Sequence, residues 1–272
     1  MMTLPLTCVL TDVFSKDWGF NQGGPVRLHY INFGGPTFEF DDLDGVNQAG
    51  VTNSSIKYKP GSITAGVRID GGRGGPRARD LLARWRKANG AGGARRPGGP
   101  LMRMTLLETD RFQEVRLVGF KNAPEYVKMH AVGRAYDEVE WRSDETWWRT
   151  DPYVFPFTAA QFANAKIRND GDLDTWVHYK LEGPITNPKI GIDGELIALP
   201  SLTAGQWLDI ETNPDYWAIW DQAGLDRSWI GERWHGKAPA DTEEIPMSIT
   251  GTGTTSATKL TVTVPQLYWS PL

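Results

Sequence analysis

Strict period-two alternation in the second half of the chain does most to limit what it can fold into. Lys259-Leu260-Thr261-Val262-Thr263-Val264 puts Leu260, Val262 and Val264 on one side and polar groups on the other, because successive side chains of a strand point to opposite faces. Such a strand must lay its apolar face on a core and its polar face toward water. Trp207-Leu208-Asp209-Ile210-Glu211 repeats the pattern. Residues 162–168, 176–182, 189–192 and 195–199 also read as strands. The breaks between them carry turn chemistry: Asn169-Asp170-Gly171-Asp172, Gly183-Pro184 and the hairpin dipeptide Asp193-Gly194. Short strands with turn signals between them predict a compact antiparallel sandwich.

The first half is β-rich as well, with one interruption. Val26-Arg27-Leu28-His29-Tyr30-Ile31 alternates. Segments 4–13, 67–69, 101–108, 114–120, 126–134 and 138–141 continue the strand reading. At Pro76 the period changes: Ala78, Leu81, Leu82 and Trp85 recur at helical spacing, Pro suits a first turn, and Asn89-Gly90 is a stop. The spacing predicts one helix near 76–89. Asp151-Pro152 and Pro156 mark the expected boundary between an N-terminal domain, 1–152, and a C-terminal sandwich, 153–272.

Charge divides the chain in nearly the same place. Residues 1–140 hold 19 Lys and Arg against 15 Asp and Glu, whereas the remainder holds 10 against 18. The excess of cations centres on the helix and the glycine-rich loop after it: Arg73, Arg77, Arg79, Arg84, Arg86, Lys87, Arg95 and Arg96. That set offers an electrostatic surface for an acidic partner or for the wall of a channel that DNA crosses. No recognition module accompanies it, so sequence-specific nucleic-acid binding is not expected. The acidic half holds ten of the twelve tryptophans. Trp207, Trp217, Trp220, Trp229 and Trp234, with carboxylates nearby, could form a glycan-binding or interface surface, or pack a core.

Other chemistries find no support. A single cysteine, Cys8, and four scattered histidines give no metal-ligand spacing, and no cofactor is expected. Asp170-x-Asp172-x-Asp174 resembles the start of a calcium loop, but Thr175 and Leu181 stand where Gly and Glu are required. A Gly-x-Ser-x-Gly elbow and a nucleotide loop are both missing, and no carboxylate pair singles itself out for glycoside hydrolysis. Apolar runs are too short for a membrane helix. The start, Met1-Met2-Thr3-Leu4-Pro5, lacks the basic and apolar blocks of a signal peptide. The expectation is a non-enzymatic structural protein made in a cytoplasm.

The order of strands and turns in the second half resembles the C-terminal galectin-like, carbohydrate-module-like sandwich of siphophage distal tail proteins, also called minor tail proteins. The residues that carry this are Asn169-x-Gly171-Asp172, Gly183-Pro184, Ile190-Gly191-Ile192-Asp193-Gly194 and Gly205-Gln206-Trp207-Leu208-Asp209-Ile210, followed by the closing alternating strand. The resemblance implies a galectin-like jelly roll behind a ring-forming N-terminal domain. It also implies a homo-oligomer, hexameric, that joins the tail tube protein to the tail-tip hub protein in the virion. A carbohydrate-binding module for host-surface glycan is the alternative reading.

Overall fold

The structure is a computed structural model that describes residues 7–21, 23–43, 49–72, 75–92, 98–121 and 126–272, without the side chains of 126–128. It is mostly β and consists of two compact units, Met1–Trp148 with Trp269–Leu272, and Arg149–Tyr268.

The first unit contains β1 (Cys8–Thr11), β2 (Asp17–Gly19), β3 (Val26–Phe33), β4 (Phe38–Leu43), β5 (Thr52–Tyr58), β6 (Gly61–Asp70), α1 (Gly75–Ala88), β7 (Met102–Leu106), β8 (Arg111–Phe120), α2 (Tyr126–Val132) and β9 (Arg134–Ser143), with β10 (Trp148–Arg149) at its end. Its sheet runs β2-β1-β7-β8-β9-β6-β3 with antiparallel neighbours. The helix α1 lies against β6 and β9, where Ala78, Leu81, Leu82 and Trp85 bury the apolar stripe that the spacing predicts. Trp85 meets Trp18, Phe20 and Trp141 edge to face, at centroid separations of 5.5, 5.9 and 6.5 Å. The C-terminus of α1 is closed by Gly90 at φ 85°, whose amide donates to Lys87.

Segment 126–134, expected as a strand, is helical over most of its length. Its first seven residues form α2, which packs on α1. Gly133, at φ 69°, ends the helix, with its N–H donating to Met129 O at 2.8 Å. A helix this short shows barely two periods, so its apolar spacing reads as alternation. The approach of the two helices requires a glycine: a Cβ on Gly75 would stand 2.4 Å from His130 Cα.

The second unit contains β11 (Tyr153–Thr158), β12 (Lys166–Asn169), β13 (His178–Glu182), β14 (Thr186–Ile192), β15 (Ile197–Ala198), β16 (Trp207–Glu211), β17 (Ala218–Asp221), β18 (Thr242–Thr252), β19 (Lys259–Val264) and β20 (Leu267–Tyr268). Two antiparallel sheets, β11-β19-β13-β16-β17 and β12-β18-β14-β15, enclose one core. Tyr179, Leu181, Ile210, Leu260 and Val262 enter it from the first sheet; Ile167, Ile190, Ile192 and Ile245 enter from the second. The alternation in β13, β16 and β19 is realised residue for residue as buried and less buried positions. Segment 162–168 is a strand only from Lys166. Before it, Ala159–Asn164 forms a 3-10 turn, started by Gln161 Oε1, which accepts from the Thr158 amide at 2.8 Å. The turn at Asn169 is fixed from inside: buried Asn169 donates to Leu173 O and Ala238 O and accepts from the Gly171 amide.

Candidate functional site

The predicted basic residues do not form one group. Arg73, Arg95 and Arg96 lie outside the described residues. Arg77, Arg79, Arg84 and Lys87 stand exposed along α1. Arg86 turns inward: its Nε and Nη2 donate to the two carboxylate oxygens of Asp137 at 3.0 and 2.8 Å, and its guanidinium covers the Phe120 ring at 4.7 Å. The Asp137 side chain is fully buried, so Arg86 neutralises a charge that burial would otherwise penalise. It fastens α1 to β9 and belongs to the support of the basic face.

The tryptophans are divided as well. Trp234 is core, its indole N–H donating to Ile190 O and its ring 5.9 Å from Tyr179. Trp217 packs at the core margin beneath Arg233. Trp229 is 78% exposed on the Ser228–Ile230 turn. Trp207 and Trp220 alone belong to the outward side of one sheet. There Lys180 of β13, Asp209 of β16 and Trp220 of β17 stand opposite one another in register, with the Lys180 ammonium 4.9 Å from the Trp207 ring centroid. The His178 ring Nε2 lies against Asp209 Oδ1. The result is a wet row of two aromatic faces among charged side chains.

Among the described residues, carboxylates of the acidic turns and of one open cavity are engaged as hydrogen-bond acceptors. Asp174 accepts from the Ala240 amide and Asp170 from the Tyr153 hydroxyl, so these carboxylates shape turns. An open cavity of about 670 Å³ is lined in part by Glu195, His235, Lys237 and Glu244. The Glu195 carboxylate there is occupied by the backbone amides of His235 and Gly236. Among the described residues no group of three or more His, Cys, Asp and Glu could hold a metal, and no helix is long and apolar enough to cross a membrane. Cys8 is buried, and burial pushes its thiol up to about 12.

The strands β4 and β5 form a separate two-stranded sheet that prolongs the β3–β6 pair. Lys59 N–H donates to Thr37 O and Gly34 N–H to Ser62 O along the way. In the arm, Phe38 stands opposite Tyr58 and Phe40 opposite Ile56, so all four share a face, yet every residue of both strands is exposed. The aromatic run continues from Tyr58 to Trp147 and Trp269 at 4.8 and 6.5 Å. The acidic residues of the arm are Glu39, Asp41 and Asp42. Glu39 pairs with Lys59, while among the described residues the carboxylates of Asp41 and Asp42 accept from the Ser55 hydroxyl and the Asn53 amide.

Among the described residues the protein is a two-unit, mostly β chain with an exposed apolar arm and a basic helix face. The fold is that of a phage distal tail protein. The SPP1 Dit (gp 19.1) protein, described as a paradigm of the hub adsorption apparatus in phages that infect Gram-positive bacteria, matches with a TM-score of 0.62 at 9% identity, over 97% of this chain and 99% of that one. A chain of the phage P2 baseplate in its activated conformation with Ca matches with a TM-score of 0.50 at 8% identity, over 97% and 98%. A chain of the p2 baseplate with Sr gives 0.50 at 10% identity, over 96% and 98%. No family model and no curated protein matches the sequence.

Proposed function

We propose that the protein is a structural component of a phage tail tip, where its first unit forms a homo-oligomeric, hexameric ring that joins the tail tube to the tail-tip hub. The observation that carries this reading is the β4–β5 arm. Exposed contiguous apolar surface marks an interaction site, and an isolated two-stranded hairpin is marginal in water. An arm of this kind is at home when a neighbouring subunit covers it. The likeness in fold to SPP1 Dit supports the same reading. The test is light scattering and electron microscopy of the purified chain. Rings of six copies are expected; a strict monomer up to millimolar concentration overturns the reading.

Host-surface glycan binding by the second unit is a second reading, favoured by one observation: Trp207 and Trp220 lie on the same outward sheet side as Lys180, Asp209 and Glu182. Aromatic faces beside hydrogen-bonding charges are what a sugar ring packs on.

A further inference from the structure

We propose that the β4–β5 arm of one copy docks on the outward face of α1 in the next copy. This specifies the contact within the ring reading and rests on it.

The location of unpaired charge leads to this assignment. Around the first sheet, cations already have carboxylate partners within the chain: Arg27, Arg68 and Arg134 with Asp70, Arg103 with Glu114, Arg116 and Arg142 with Asp144, and Lys121 with Glu138 and Glu140. On α1, Arg77, Arg84 and Lys87 have no ion pair among the described residues, and Arg79 approaches only its neighbour Asp80, at 3.8 Å. On the arm, Glu39 pairs with Lys59 and faces Lys57, and Asp41 and Asp42 have no ion pair among the described residues, so Glu39, Asp41 and Asp42 stand against Lys57 and Lys59 and leave the arm net anionic.

The apolar chemistry matches too. The outward side of α1 carries Arg77, Ala83, Arg84 and Lys87, all exposed. Long basic side chains offer apolar stems and a charged end, and guanidinium planes stack on aromatic faces. Such a face receives Phe38, Phe40, Ile56 and Tyr58 against its stems, while Asp41 and Asp42 supply ion pairs at the rim. The same molecule already uses this contact internally, with Arg103 at 4.0 Å and Arg86 at 4.7 Å from phenylalanine ring centroids. Since arm and helix are different patches, the contact is head-to-tail, and a head-to-tail contact closes into a ring when its rotation permits.

The experiment reverses each surface. One variant carries Arg77→Glu, Arg79→Glu, Arg84→Glu and Lys87→Glu; a second carries Asp41→Lys and Asp42→Lys. Both sets are exposed, so each variant should keep the wild-type far-ultraviolet circular dichroism spectrum. Each alone should associate at least about 30-fold more weakly than wild type, because like charges then face one another across the contact. Mixed in equal amounts, the two should assemble again as alternating copies, because each then presents the charge the other requires. That recovery excludes misfolding as the cause of the single losses. Wild-type-like assembly of the helix variant, or failure of the mixture to assemble, overturns the docking assignment and leaves the ring reading standing. A monomeric wild type overturns both.

Discussion

Asn89 ties the basic helix to the sheet, and its replacement has a cost that can be worked from the structure. The residue is fully buried. Its Oδ1 accepts from the Trp141 indole N–H at 2.7 Å, and its Nδ2 donates to Trp85 O at 2.9 Å. Asn89→Ala removes both bonds and leaves the Trp141 indole N–H buried without an acceptor. A stranded buried donor costs about 1–3 kcal/mol and a lost neutral hydrogen bond about 1 kcal/mol. The sum is about 2–4 kcal/mol, which lowers the melting temperature of the first unit by roughly 5–15 °C. Differential scanning calorimetry reads this. The partner variant Trp141→Phe removes the donor itself, so the double variant should cost less than the two single losses combined, by about 1–2 kcal/mol. A loss below about 0.5 kcal/mol for Asn89→Ala, or strict additivity in the cycle, would refute the role assigned to this node. If the cost is confirmed, the orientation of Arg77, Arg84 and Lys87 depends on a buried amide that never touches them.

Two further predictions concern the second unit. The Leu225 backbone N–H first, and the Arg227 guanidinium next, hold the Asp221 carboxyl below the usual carboxylate value. Its stabilising contribution is therefore complete above the unfolded carboxylate value of about 4 and is lost as pH falls through the lower folded value. In urea titrations the stability gap between wild type and Asp221→Asn should close below about pH 4; a constant gap from pH 7 to pH 3 contradicts the assignment. For the tryptophans, burial predicts opposite outcomes: Trp234→Ala should cost about 3–5 kcal/mol of stability, and Trp220→Ala under about 1 kcal/mol. If host cell-wall polysaccharide binds by calorimetry, Trp220→Ala should abolish the binding, and unchanged affinity removes the outward row as its site.

How far the fold could be read from the sequence followed from what each segment buries. In β13, β16 and β19 one face is covered and the other wet, so the hydrophobic period reports the geometry directly. The same holds for α1, where Ala78, Leu81, Leu82 and Trp85 form one stripe. The helix α2 reads as strand because seven residues hold too few turns to separate the two periods; the glycine at 133, which the structure places at positive φ, is the local signal of a helix end. At the sites, proximity in sequence was a poor guide. The tryptophans within 207–234 go to the core, the core margin, a turn and an outward sheet side, since alternate residues of a strand diverge. Arg86 reads like its neighbours on α1, yet it faces a buried carboxylate that lies 51 positions later in the chain.

The β4–β5 arm draws the limit of such reading most sharply. Phe38-Glu39-Phe40-Asp41 alternates as regularly as Leu260-Thr261-Val262-Thr263. In the second unit that pattern places Leu260 and Val262 in a core with no exposure, whereas in the arm it leaves Phe38 and Phe40 at 43% and 57% exposure. Alternation specifies that a face is to be covered; it does not specify by what. Within β19 the cover is the opposite sheet of the same unit. Among the described residues the strands of the arm pack chiefly on each other, with Tyr58 meeting Trp147 and Trp269, and in the proposed ring a neighbouring copy supplies the rest of the cover. A monomer would carry that face into water at about 25 cal/mol per Å² of apolar area, a standing cost that assembly removes. The pattern that predicts a core in one half of this protein thereby predicts an interface in the other.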